Sequence, residues 1–392
     1  MQIDALRHDL RALGAKPGHE ALVLKNWTRA LPLGAGRSRA EDFLPLALRA
    51  GLPEFAAGLA ALARLHGRHP AADGSARLLL RLADGEAVES VLLPKGGLCV
   101  STQVGCAVGC TFCMTGRDGL RRQLGSAEIV AQVALARSLQ PVKKVVFMGM
   151  GEPAHNLDSV LEAIGLLGTL GDIGHKNLVF STVGDRRVFE RLPRGEVQPA
   201  LALSLHTTKA ELRAQLLPRA PRLDPAKLVE LGEAYARATG YPIQYQWTLL
   251  AGVNDGDDEV EGIARLLAGK YAVMNLIPYN AVDGLGYARP SRERAEAMSL
   301  ALHKRGILTK LRQSAGQDVD AGCGQLRART SLPPSPRPTA GFAQPAGSNG
   351  AEQCSANSRS RPEEGGDGGS PLRGSMSLAA PALGRPGGRR SA

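Results

Sequence analysis

The sequence predicts an α/β protein with a helical N-terminal region, a core built on a parallel sheet and a disordered C-terminal tail. Three observations carry this reading. From about residue 97 short apolar strand segments alternate with helical ones, and repeated strand–helix units imply a parallel sheet, open or closed as a barrel. Hydrophobic residues make up 43% of the 392-residue chain, enough for a large buried core. The last 62 residues hold 9 Pro, 11 Gly and 10 Ser, with Phe342 their only aromatic, and bury too little surface to offset the entropy of ordering.

The elements follow in order. Residues 1–75 read as a helical domain: Leu6, Leu10 and Leu13 share one face, and Gly14 marks a helix stop. A second helical stretch runs near Leu44 to Leu65. Domain 76–330 opens with a hairpin, in which Asp84-Gly85 joins the runs Arg77–Leu82 and Val88–Pro94. Strands are expected over 145–149, 178–181, 201–205, 243–249, 273–277 and 308–311, separated by helices near 126–138, 158–168, 224–239, 257–268 and 291–305. Polar residues gather where these strands end: Gly151-Glu152, Ser181-Thr182, Ser204 to His206, and Asn280. In a barrel those ends face the active site. Residues 331–392 form the tail, which carries Cys354.

Composition excludes several classes. No run approaches the roughly 20 apolar residues that span a bilayer. The start, Met1 to His8, lacks the apolar segment of a secretory signal, so a cytoplasmic chain is expected. Aromatics at 4% argue against a large base-stacking platform. Lys+Arg 48 against Asp+Glu 37 gives +11, which suits a polyanionic partner such as nucleic acid and equally a solvated basic surface.

The cysteines are more informative. Of six, Cys99, Cys106, Cys110 and Cys113 lie within fifteen positions, the last three as C-x3-C-x2-C. Clustered thiols in a long chain without an export signal point to metal ligation or catalysis rather than a disulfide framework. Offsets of 0, 4 and 7 would also suit a small-residue stripe on a helix, but Gly105, Gly109, Gly116 and Gly119 disfavour a regular helix here. Zinc usually takes four ligands as two C-x2-C pairs, and no second pair is present. Three cysteines suit a 4Fe–4S cluster with one open iron, and this spacing is the radical SAM signature.

Further segments follow in order: Val145–Pro153 with Gly151-Glu152-Pro153, Ser204-Leu205-His206, Asn275–Asn280, and Asp318–Leu326 around Cys323. Together with the cysteine block they resemble the RlmN/Cfr family of radical SAM RNA (adenine) methyltransferases, from about Leu82 to Leu326. The resemblance implies a partial (βα)6 radical SAM barrel behind a helical accessory domain that helps hold RNA. It implies one 4Fe–4S cluster on Cys106, Cys110 and Cys113, and S-adenosylmethionine (SAM) bound by Gly151, Glu152, Ser181, Ser204, Leu205, His206 and Asn280. Two SAM molecules serve each turnover. Cys323 accepts a methyl group from the first, and the second generates the radical that activates this S-methylcysteine toward an adenine carbon. Cys99 resolves the protein–RNA adduct through a transient disulfide with Cys323, and Glu89 accepts the proton from the adenine carbon. The implied product is carbon-2-methylated adenosine in 23S rRNA, and in tRNA for some members. Carbon 8 is the alternative, as is a non-catalytic iron–sulfur RNA-binding protein. A flavodoxin-like electron donor is expected, and no membrane. The chain departs from the family at Met114, Val183 and Thr207-Thr208-Lys209. Arg117, Arg121, Arg122, Arg186, Arg187, Arg219, Arg222 and Arg289 are candidates for phosphate contacts, which position RNA without reading its sequence.

Overall fold

A computed structural model of the chain describes residues 1–36, 39–282 and 284–328. The described residues form one compact unit. The expected tail, with Cys354, lies outside the described residues.

The N-terminal region starts with α1 (Ile3–Ala12), α2 (Pro17–Thr28), α3 (Ala40–Phe43) and α4 (Leu46–Ala61). Leu6 and Leu10 are buried, and Gly14 follows α1 with φ +80°, as the periodicity implied. The helical reading fails beyond Ala61: β1 (Arg64–Pro70) is a strand. Its sequence, Arg-Leu-His-Gly-Arg-His-Pro, has no apolar alternation, because it is an edge strand paired antiparallel to β2 (Ala76–Arg81) on one side alone. The expected hairpin then joins β2 to β3 (Ala87–Leu93), with Gly85 at φ +89° in the turn.

Next come β4 (Gly97–Cys99), β5 (Gln103–Gly105), β6 (Leu120–Gln123) and α5 (Ser126–Leu139). The regular alternation follows: β7 (Lys144–Phe147), α6 (Leu157–Thr169), β8 (Leu178–Thr182), α7 (Arg186–Arg191), β9 (Ala200–Ser204), α8 (Ala210–Leu216) and α9 (Pro225–Thr239). It closes with β10 (Ile243–Leu249), α10 (Asp257–Leu267), β11 (Ala272–Pro278), α11 (Arg292–Lys304) and β12 (Thr309–Leu311). The short helices α7 and α8 carry too few turns to show a period in the sequence.

Ten strands form one sheet in the order β1-β2-β3-β4-β7-β8-β9-β10-β11-β12, parallel from β4 onward. β4 and β7 to β11 each lead into helix, giving six strand–helix units with β12 beyond them, the partial barrel the resemblance implied. The antiparallel β1–β3 extend it at one edge. One hydrophobic core runs from Leu6 and Leu10 through Phe147, Phe180 and Trp247 to Leu326, so the N-terminal helices share the core of the sheet. Among the described residues no helix is long and apolar enough to cross a membrane.

Candidate active site

The three-cysteine segment is the loop of a small antiparallel ribbon. β5 and β6 pair at its base, and the Cys106 amide donates to the Gly119 carbonyl at 3.0 Å. Gly105 sits at φ +77° with the Gly119 carbonyl oxygen 2.0 Å from where a Cβ would lie, so only glycine closes this ribbon. Cys106, Cys110 and Cys113 then line one cavity of about 150 Å³ together with Gly151, Glu152, Ser181, Ser204, His206 and Cys323. Cys323 comes from the segment after β12, and the others from the loop and from the C-terminal ends of β7, β8 and β9. Leu205 lies instead in the hydrophobic core.

Glu152 is the anionic corner of this cavity. Its carboxylate accepts from the amides of Ala154 and Val183, both at 3.1 Å, while its own amide donates to Gln103 Oε1 at 2.7 Å. Burial nevertheless raises its pKa to about 7, against hydrogen bonds from Thr182 and these amides that lower it. A buried carboxylate in this state suits an ammonium partner, which would restore its charge. Gly151 precedes it at φ +108°, where a Cβ would press on Gln103 at 2.7 Å.

His206 is held as a neutral ring. The Thr248 amide donates to Nδ1 at 3.0 Å, and the Phe112 ring meets the imidazole edge-on with centroids 4.9 Å apart. Burial, then the Arg213 charge, lowers its pKa to about 3. Its backbone is left-handed (φ +61°), and Asn254 Nδ2 anchors its carbonyl at 2.7 Å. Arg213 spans the wall behind it, donating to the carbonyls of Val183 and Ser204.

After β12 the chain returns as a strap over β2–β4. Glu89 and Val91 share one face of β3, and Val91 pairs with Cys99 of β4, so Glu89 and Cys99 face the same side. The strap crosses that face. Arg77 Nε donates to the Val319 carbonyl at 2.7 Å, and Asp73 accepts from the Gly316 amide at 3.0 Å. Glu89 pairs with Arg77 and accepts from the amides of Arg327 and Ala328 at 2.8 and 3.0 Å. The cysteine loop braces the strap through the Met114 amide on the Gly324 carbonyl and the Thr115 hydroxyl on the Leu326 carbonyl.

The strap thereby divides one face into two cavities. The inner one, about 540 Å³, is lined by Cys99, Cys113, Met148, Arg312, Ser314 and Cys323. The outer one, about 400 Å³, holds Glu89 beside His66, His69, Arg77 and Arg327. Burial, then the neighbouring Cys323, pushes the Cys99 thiol up to about 12. The Cys323 residue is exposed and lines both the three-cysteine cavity and the inner one; burial raises its thiol's pKa, against Arg312 and Ser314. Asn280 holds the strap, donating to the Cys323 carbonyl.

Residues 100–267 match the Radical SAM superfamily. Fold and three-cysteine corner together define the class, a radical SAM enzyme. The chain is 75% identical over 329 residues to a probable RNA methyltransferase of Aromatoleum aromaticum, covering 84% of this chain and 93% of that one. It is 68% identical over 333 residues to another from Pseudomonas aeruginosa, covering 84% and 96%. The crystal structure of a radical SAM methyltransferase from Sphaerobacter thermophilus superposes with a TM-score of 0.73 at 34% identity, covering 84% of this chain and 98% of that one. The chain belongs to the RlmN/Cfr-like family of radical SAM RNA methyltransferases and is a SAM-dependent methyltransferase.

Membership implies a 4Fe–4S cluster and SAM, and the residues present suit both. Burial, then the charges of Cys113, Cys106 and Glu152, holds the Cys110 thiol well above its ordinary pKa, a strain that a cationic centre among the thiols relieves. Three thiols ringing a cavity serve a multi-iron cluster, with one iron per cysteine, better than one zinc.

Gln103, Arg213, Phe112 and Thr248 escaped the sequence reading. Each acts by holding another residue; Phe112 lies inside the three-cysteine motif at one of its unspecified positions, and the other three belong to no motif with its own spacing. Of the candidate phosphate contacts, Arg122 is tied to Asp84 and Glu128, Arg121 to Glu86, Arg187 to Asp185 and Arg289 to Gln317.

Proposed function

We propose that this chain methylates carbon 2 of an adenosine in RNA, ribosomal and in some cases transfer RNA, through an S-methylcysteine at Cys323. The observation that carries the reading is the position of the Cys323 thiol, on the border between the three-cysteine cavity and the cavity of Cys99. Cys106, Cys110 and Cys113 would hold the cluster, which when bound supplies the electron that cleaves SAM. Glu152 takes the SAM ammonium, with Gly151, Ser181, Ser204 and His206 completing the walls. Neutral His206 offers a hydrogen-bonding ring without a charge that would repel the sulfonium.

An aromatic carbon is no nucleophile for direct methyl transfer, so the thioether carbon of Cys323 is built first and then joined to the base. The Cys323–carbon link to adenine must afterwards break. A Cys99 thiolate attacks the Cys323 sulfur, forming the disulfide while the carbon leaves as the product methyl with its electron pair and a proton. Glu89 is the proton acceptor in this reading, although it lies in the outer cavity, on the far side of the strap backbone from Cys323. Two SAM molecules serve each turnover, and a flavodoxin-type reductant in the cytoplasm completes the system.

Anaerobic reaction of the reconstituted enzyme with transcribed 23S rRNA fragments, followed by nucleoside mass spectrometry, tests this. The expected product is 2-methyladenosine; 8-methyladenosine, or methylation of another base, overturns the assignment.

A further inference from the structure

We infer that the edge strand β1 is a docking rail for the phosphate backbone of the RNA; this rests on the RNA reading above. β1 forms one free margin of the ten-stranded sheet. Within seven residues it presents Arg64, His66, Arg68 and His69, all exposed, and no acidic side chain. Among the described residues none of these four side chains makes a hydrogen bond or ion pair, whereas Arg77, Arg121, Arg122 and Arg187 are all tied to carboxylates.

A charged edge also guards a sheet against pairing with another chain, but that task needs no concave surface. Here His66 and His69 form one wall of the outer 400 Å³ cavity, with Arg77 and Arg327 beyond them. That cavity lies directly across the strap from Cys323. The register of β1 shifts between Leu65 and Gly67, so Arg64 and Arg68 project from opposite faces of the strand; up to about 13 Å apart along it, they flank the sheet margin and reach two phosphates of a backbone that runs along that margin. A backbone lying on β1 brings its neighbouring nucleotide to the strap. Unpaired cations on such a surface release counterions when phosphates replace them, and this gives the surface a measurable salt signature.

The test is fluorescence anisotropy of a fluorescein-labelled single-stranded oligoribonucleotide across a potassium chloride series. The proteins are the reconstituted enzyme, R64Q/R68Q and H66Q/H69Q. The control is R292Q/R305Q at the two ends of α11, which packs on the opposite margin of the sheet beside β12. For R64Q/R68Q the slope of log affinity against log salt is expected to fall by about 1.4, from about 0.7 per phosphate contact, while the control keeps the wild-type slope. Equal losses in both pairs would reduce the effect to net charge and overturn the rail. Wild-type slopes in both β1 variants, with RNA still bound and methylated, also overturn it and leave the methyltransferase reading intact. No RNA binding and no methyladenosine from the unmodified enzyme would sink both.

Discussion

Asn280 Nδ2, at the end of β11, donates to the Cys323 carbonyl at 3.0 Å and to the Ser314 hydroxyl at 2.8 Å, pinning both shoulders of the strap that carries the methyl-accepting thiol. A side chain matched to SAM binding in the sequence thus also positions the reactive cysteine. Asn280→Ala is expected to slow Cys323 methylation about tenfold, the worth of roughly one hydrogen bond of 1.4 kcal/mol. Intact-protein mass spectrometry reads the added methyl, and iron content should stay at the wild-type level.

The two cysteines of the inner cavity should fail differently. Cys323→Ala should give no methylated RNA at all. Cys99→Ala should still join protein to RNA and then stall, leaving a slow-migrating band with labelled RNA on a denaturing gel. Full product from Cys323→Ala would remove the covalent route.

His206 should make the protein acid-sensitive. Its folded pKa of about 3 lies below the ordinary 6.5. As pH falls from 7 toward 5 the unfolded ring therefore takes up a proton that the folded one refuses, and stability drops. The slope approaches about 1.4 kcal/mol per pH unit for one such group. Urea unfolding at pH 7 and pH 5 should show a smaller loss for His206→Gln than for the unmodified chain.

Gly151→Ala should damage SAM binding with little effect on iron content. The backbone at φ +108° strains any side chain, and the new methyl meets Gln103. Strain of about 1–3 kcal/mol predicts SAM affinity at least about fivefold weaker by calorimetry.

Arg213 is 3% exposed and has its two carbonyl partners on different strand ends. Arg213→Ala removes both bonds and opens a void beside His206. A loss of about 3 kcal/mol is expected in chemical denaturation.

The sequence revealed chemistry more readily than support. C-x3-C-x2-C was legible because one cluster dictates a spacing along the chain. β8, β9 and β11 were legible because burial on both faces demands apolar runs, and β10 because Ile243, Tyr245, Trp247 and Leu249 alternate with polar residues. β1 was not, since an edge strand with polar side chains carries no period. The meeting of Cys99 with Cys323 across more than two hundred residues came from the family resemblance alone, because spacing says nothing about a strap. Gln103 and Arg213 were invisible for a related reason: each is defined by the backbone group it bonds, and backbone groups have no letter. The strap backbone standing between Glu89 and the inner cavity is likewise a tertiary fact.

The amides of Arg327 and Ala328 have a practical bearing on how the protein is shortened for crystallisation. A truncation ending before Arg327 would strip Glu89 of two donors, leave it with Arg77 alone, and untie the far end of the segment bearing Cys323. Versions cut after Ala328 keep that knot; those cut a few residues earlier should express yet hold the methyl acceptor loosely.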